Sequence, residues 1–220
     1  MVPPIVDDLY PDNLELIGIH RTDAYVTTWG NSRMTVFYTY EGVPNFWTDA
    51  TLNVLGYYGN PNTQIAQWSA KINSRLAVPT DITIDVSTVE LNLPNGTFEA
   101  NVCMEAGGTA RTVRVFMVRV LDHYPFLSGY DYRNTVREGF QVGDYPLNPD
   151  ECVPVQQAFA FDTVDLENAP NIKIIAFAQE PNDHSPAEVY QVGSTWPFRV
   201  FADGFESGDL SGGWWTPPPP

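Results

Sequence analysis

The feature that most limits the fold is a change of rhythm at Pro79. Beyond it apolar residues recur at every second position in short runs, the pattern of half-buried strands whose side chains alternate between two faces. Residues 81–86 alternate in this way, and so do residues 88–93. Pro94-Asn95-Gly96 predicts a tight turn, because Asn and Gly tolerate the positive φ that two-residue hairpin loops require. Residues 98–104 pair back, Gly107-Gly108 turns the chain again, and residues 112–121 form its most strand-like run. Residues 156–161 and 172–179 supply two further strands. This series, free of helical periodicity, predicts an antiparallel sandwich of immunoglobulin-like size over residues 79–198.

Between these strands, residues 123–153 read as a long loop rich in Tyr, Gly, Pro and Asp, and loops of that length are usually functional or pinned by packing. Tyr124, Tyr130, Tyr132, Arg133 and Tyr145 are its candidate binding residues, with rings suited to stack on a sugar or fill a partner's groove. The alternative is that the aromatics pin the loop to the sandwich.

Residues 1–78 have a different grammar. A compact apolar run at residues 14–20 follows a turn signal and reads as a buried strand. Ser32 is placed to cap a helix through Tyr40, with Met34, Phe37 and Tyr38 sharing a face, and Gly42 ends it. Residues 45–49 and 52–58 form a hairpin. A helix over residues 63–76 carries Ile65, Trp68, Ile72 and Leu76 on one stripe, which must face a sheet.

Composition narrows the function classes. With 11 basic against 27 acidic residues the formal charge is −16, which argues against a nucleic-acid partner and against an acidic membrane surface. No apolar run approaches the roughly 20 residues of a spanning helix, and no signal peptide is readable at Met1. Few Lys, many Asn, Thr, Gly, Tyr and Trp, and an even number of cysteines point to export. Cys103 and Cys152 are expected to form a structural disulfide, a redox pair and two free buried thiols being the alternatives.

Gly42-Val43-Pro44, Ile19-His20 with Asp23 and Tyr25, and Tyr132-Arg133-Asn134-Thr135-Val136-Arg137 together carry a resemblance. On these residues the chain, from about Ile5 to Gln179, resembles the secreted, outer-envelope-associated bacterial proteins in which a thioredoxin-like domain is followed by a β-sandwich. The resemblance implies an α+β chain: a partial thioredoxin-like α/β unit over residues 1–78 and an antiparallel immunoglobulin-like sandwich over 79–198; residues 199–220 beyond it read as a C-terminal tail or an exchange strand. It implies that Gly42, Val43 and Pro44 form a cis-proline loop. Active relatives carry Cys-x-x-Cys at the start of the first helix, a place that here falls at or before Met1. The chain is therefore expected to be N-terminally shortened, lacking the first strand and the redox pair, with no catalytic residue carried over. Asp-Gly-Phe-Glu-Ser-Gly-Asp near the C-terminus is similar to a signature found on exported bacterial proteins.

No Ser-His-Asp arrangement, phosphate loop, dinucleotide fingerprint or histidine ligand spacing can be read, so no cofactor is expected. Asp203, Glu206 and Asp209 are weak calcium candidates. A sheet lacking its first strand exposes an edge, so self-association by strand addition is expected, with Phe201, Phe205, Trp214 and Trp215 as contacts. The function that follows is a non-catalytic secreted or cell-surface structural or binding protein. Its rivals are a thiol-disulfide oxidoreductase whose cysteine segment lies outside this chain, and an adhesion module for carbohydrate or calcium.

Overall fold

The computed structural model describes residues 6, 8–11, 14–39, 41, 42, 44–56, 59–126 and 130–198. In chain order α1 (Thr28–Ser32) runs into a π-helical turn (Arg33–Phe37), followed by β1 (Asn45–Thr48), β2 (Leu52–Leu55) and α2 (Pro61–Leu76). Then come β3 (Ile82–Asn92), β4 (Asn95–Met104), β5 (Arg111–Leu121), β6 (Tyr124–Phe126), β7 (Tyr130–Tyr132), β8 (Thr135–Leu147) and β9 (Cys152–Ala160). The short helix α3 (Thr163–Glu167) precedes β10 (Ile172–Gln179) and β11 (Val189–Thr195). Antiparallel sheets dominate, and the class is α+β.

The sandwich stacks the sheet β3-β4-β9 on the sheet β11-β10-β5-β8. Its core interleaves Val86, Phe98, Val102 and Phe159 of the first sheet with Val113, Met117, Ile172 and Ile174 of the second. Strand β5 is apolar at nearly every position because both of its faces are covered: Val113, Val115 and Met117 point into the sandwich, while Phe116, Val118 and Val120 point outward under the N-terminal unit. Strand β11 runs close to β3, and a Cβ at Gly193 would stand 2.6 Å from the Ile84 carbonyl oxygen. Cys103 and Cys152 face each other across β4 and β9 and are joined as a disulfide.

A charge cluster closes one end of the sandwich. Asp162 caps α3 and Asp165 completes its capping box. Asp165, fully buried, takes Arg119 Nη1 at 2.7 Å and Arg137 Nε at 3.1 Å, and Arg137 Nη2 donates to Asp162 at 2.6 Å. The arginine at the end of the Tyr132-to-Arg137 motif is thus tied to structure.

The N-terminal unit is smaller. Asn60 caps α2, accepting from Asn62 N at 2.9 Å, and Pro61 occupies the first turn, where a missing N–H costs nothing. Trp68 stacks on Phe46 with ring centroids 4.3 Å apart, and Ile72, Val54 and Val6 complete the core.

Several expectations need correction. Residues 14–20 form no strand and so offer no open edge: the segment runs extended, with a single parallel bridge from Gly18 to Thr135. Its apolar side chains are shared between two cores instead of pairing in a new sheet: Ile17 and Ile19 face the four-stranded sheet, and Leu14 and Leu16 face the core of the N-terminal unit. Thr27, not Ser32, caps the helix, accepting from Gly30 N, and helical geometry stops at Phe37. The hairpin turn falls on Leu93 and Pro94, so Asn95 and Gly96 already pair in the ladder. Much of the long loop of residues 123–153 is strand: β8 pairs with β5 throughout, two register shifts breaking its period. Strand β11 carries no alternation strong enough to have been read. The Val43–Pro44 bond lies outside the described residues.

Candidate binding cleft

The N-terminal unit rests on the outer face of the four-stranded sheet. There Phe116, Val118, Val120, Val136, Ile175 and Phe177 are covered by Ile17, Ile19 and Trp29. The covering segment is anchored at its middle: Gly18 N donates to Asn134 O at 2.8 Å, and Val136 N donates to Gly18 O at 3.0 Å. Ser194 Oγ donates to Glu15 at 2.6 Å, and Lys173 pairs with the other oxygen of the same carboxylate. Trp29 lies directly on Gly139, where a Cβ would meet its ring at 2.5 Å. At the other side Val189 N donates to Asp49 O, and Arg75 bridges Asp49 and Glu188.

Between these anchors lies a cleft of about 710 Å³, within the range of small-molecule sites. Leu16, Ile19, Trp29, Met34, Tyr38, Phe46, Trp47, Trp68 and Phe177 make it mainly apolar and aromatic. A second cleft, of about 550 Å³, is lined by Asp49, Arg75, Asp81, Arg111 and Glu188. Its charges neutralise one another, Arg111 pairing with Asp81 and Arg75 with Asp49 and Glu188, so it has little left to offer a ligand.

The larger cleft holds an unusual cation. Arg33 is only 6% exposed and has no carboxylate in ion-pair range among the described residues. Its Nη2 donates to Gln179 Oε1 at 2.7 Å, and its guanidinium lies 3.7, 4.7 and 5.2 Å from the ring centroids of Phe37, Phe116 and Tyr38. Ring faces supply the attraction that water would otherwise give. Burial pushes the Arg33 pKa below the ordinary guanidinium range, against an opposing contribution from Tyr38. Asn45 Oδ1, Trp47 Nε1, Thr48 Oγ1 and Trp68 Nε1, all from residues lining the cleft, have no hydrogen-bond partner among the described residues.

At the rim, His20 brings together the two motifs at residues 19–25 and 132–137. Its Nδ1 lies 2.7 Å from Asp23 Oδ2 and its Nε2 lies 3.4 Å from Thr135 Oγ1. Tyr25 and Tyr132 meet its ring edge-on at centroid distances of 5.4 and 4.5 Å, and each other at 5.6 Å. Burial raises the Asp23 carboxyl, but hydrogen bonds from His20 and Tyr25 N outweigh it and hold the pKa below the ordinary value. Burial, with the Asp23 charge, raises the Tyr132 phenol. Carboxylate, imidazole and hydroxyl stand in the order that nucleophilic catalysis uses. Thr135 is fully buried, so no substrate carbonyl can reach its oxygen, and the order here serves to join segments.

The other candidate residues are dispersed. Arg133 pairs with Asp122 at 2.5 Å and with Asp8 at 3.5 Å, and lines the cleft with Tyr132. Tyr145 sits in β8 and packs against the sandwich core. Tyr124 and Tyr130 belong to the small β6–β7 hairpin, opposite Tyr132 and Phe126. Gly42 and Pro44 precede β1, and Pro44 O accepts from Gly56 N at 2.8 Å; Val43 lies outside the described residues. So do Phe201, Asp203, Phe205, Glu206, Asp209, Trp214 and Trp215. Among the described residues no group of three His, Cys, Asp or Glu is placed to hold a metal, and no helix is long and apolar enough to cross a membrane. Arg33 escaped the sequence reading, although Trp29 four residues before it and Phe37 four after put aromatic rings on its own helical face.

No protein-family model matches the sequence, and no curated protein matches it. The fold, however, has known counterparts. HBP35 of Porphyromonas gingivalis superposes with a TM-score of 0.60 at 13% identity, covering 87% of this chain and 67% of that one. A domain of the outer membrane lipoprotein Omp28 from the same organism aligns with 55% of this chain and 91% of its own at 16% identity, with a TM-score of 0.39. The likeness to HBP35 is one of fold and spans both units.

Proposed function

We propose that this is a secreted or cell-envelope protein that acts by binding, not by catalysis, and that the aromatic cleft between its two units is the binding site. The observation that carries this reading is the cleft itself: aromatic walls and unpartnered polar atoms in a space of small-molecule size. Both cysteines of the chain are used in the Cys103–Cys152 bond, which suits an oxidising compartment and leaves no thiol for exchange. We infer that the β1–β2–α2 unit is a redox-inactive derivative of a thioredoxin-like scaffold. Its support is a hairpin led in by Pro44 and backed by a helix whose Trp68 and Ile72 pack on it.

The test is uptake of the neutral apolar dye Nile red. The full chain should bind it one to one, and Trp47→Ala, which strips a cleft wall, should weaken binding about tenfold or more. Absence of stoichiometric uptake by the folded protein, or turnover of a model disulfide by this chain, would overturn the reading.

A further inference from the structure

Arg33 is a permanent charge held out of water with an amide, Gln179, and a phenol, Tyr38, for its hydrogen-bond partners, and no carboxylate among the described residues. A buried guanidinium ordinarily lies against a carboxylate, because removing a charge from water costs several kcal/mol that an opposite charge offsets. The same protein meets that demand elsewhere: Arg119, equally buried, takes Asp165 and Glu138. At Arg33 the aromatic rings and Gln179 Oε1 meet only part of it, and Gln179 Nε2 is itself without a partner among the described residues. Thr48 and Trp68, 6% and 3% exposed, line the same cleft with an unpartnered Oγ1 and Nε1. Among the unpartnered atoms of the cleft, donors thus outnumber acceptors, Asn45 Oδ1 being the acceptor beside them; the carboxylates of Glu15 and Asp49 that also line it are engaged by Lys173 and Ser194 and by Arg75.

Building on the cleft as a binding site, we propose that its ligand is an apolar monocarboxylic acid. The carboxylate accepts from the Arg33 guanidinium, the indole and hydroxyl donors serve its remaining lone pairs, and the hydrocarbon or aryl body lies along Trp29, Tyr38 and Trp47. A fatty acid and an aromatic acid share this chemistry.

Calorimetric titration of the full chain decides it, comparing decanoate with decan-1-ol and 2-naphthoate with 2-naphthalenemethanol. The acid of the preferred pair should bind about ten to a hundred times more tightly than its alcohol, the span of one charge-assisted hydrogen bond. The pair with the tighter acid identifies the source, chain or ring. Arg33→Met should bring acid and alcohol to the same affinity, and Thr48→Val should weaken the acid alone. Equal binding of acid and alcohol by the natural protein would overturn the proposal, and needs no variant to fold. If Nile red binds but neither acid does, this inference fails alone; if Nile red also fails, the cleft is not a binding site at all.

Discussion

The sandwich and the N-terminal unit solve the same burial problem with unequal means. The sandwich encloses a continuous core between two sheets, closed at one end by the Arg119–Asp165–Arg137 cluster and stapled by Cys103–Cys152. The N-terminal unit has a small core around Trp68 and Phe46, and the apolar surface of Ile17, Ile19 and Trp29 is half-buried against the sandwich, which supplies the other side. One region stands on its own packing and the other leans on its neighbour. The cleft lies where the leaning is incomplete, so the less independent region is also the one that shapes the proposed binding site.

That contrast can be broken or sharpened. The largest effect should come from the staple. Replacing Cys103 and Cys152 with Ser releases a cross-link spanning 49 residues, which should lower stability by about 4 kcal/mol in the chain-entropy view. Denaturant melts should show the whole molecule losing stability, since the leaning unit falls with its support. Trp68→Ala should cost about 3 kcal/mol through the cavity it leaves, yet its effect should stay local: amides of α2 and the β1–β2 hairpin exchange faster while β5 and β10 keep their protection. If those strands also exchange faster, the units are one cooperative body and the contrast is false.

Gly139→Ala probes the seam between them. A methyl group 2.5 Å from the Trp29 ring must displace it, and overpacking of this kind costs about 1–3 kcal/mol. Trp29 emission should shift toward that of an exposed indole while the sandwich melt changes little. The smallest effect concerns pH. The Asp23 pKa is lowered on folding, so its contribution to stability is present above the unfolded value of about 4 and is lost as pH falls through the folded one. Asp23 is a third exposed, so the change is modest; Asp23→Asn should flatten the acid limb of N-terminal-unit stability and leave the neutral region nearly unchanged.

The two regions were also unequally legible. The start of β3 could be read because one alternation governs it, β10 because it is a short, nearly continuous apolar run covered on both faces, and α2 because its buried stripe recurs at helical spacing. Strand β8 could not: Gly139 and Gly143 interrupt it, and bulges shift its phase so that Val136 serves the seam while Phe140 and Tyr145 serve the core. Residues 14–20 have the apolar content of a strand, but content does not reveal that the segment would lie over a sheet face with one bridge. The motifs around His20 and Tyr132 were visible as motifs, while their meeting across 112 residues was not. The cleft was least legible, because its walls come from well-separated stretches and its central charge, Arg33, looks on paper like an ordinary helical arginine.

Hydrogen exchange over the full chain, with and without saturating Nile red, tests the whole reading most directly. Without ligand, β5 and β10 should exchange only through global unfolding, and β1, β2 and α2 through a smaller opening. With ligand, exchange should slow in residues 16–23, in β1 and in the Trp29–Phe37 region, and remain unchanged in β4 and β9 on the far sheet. Uniform protection without ligand, or slowing confined to β4 and β9 on its addition, would contradict both the dependence of the N-terminal unit and the placement of the site.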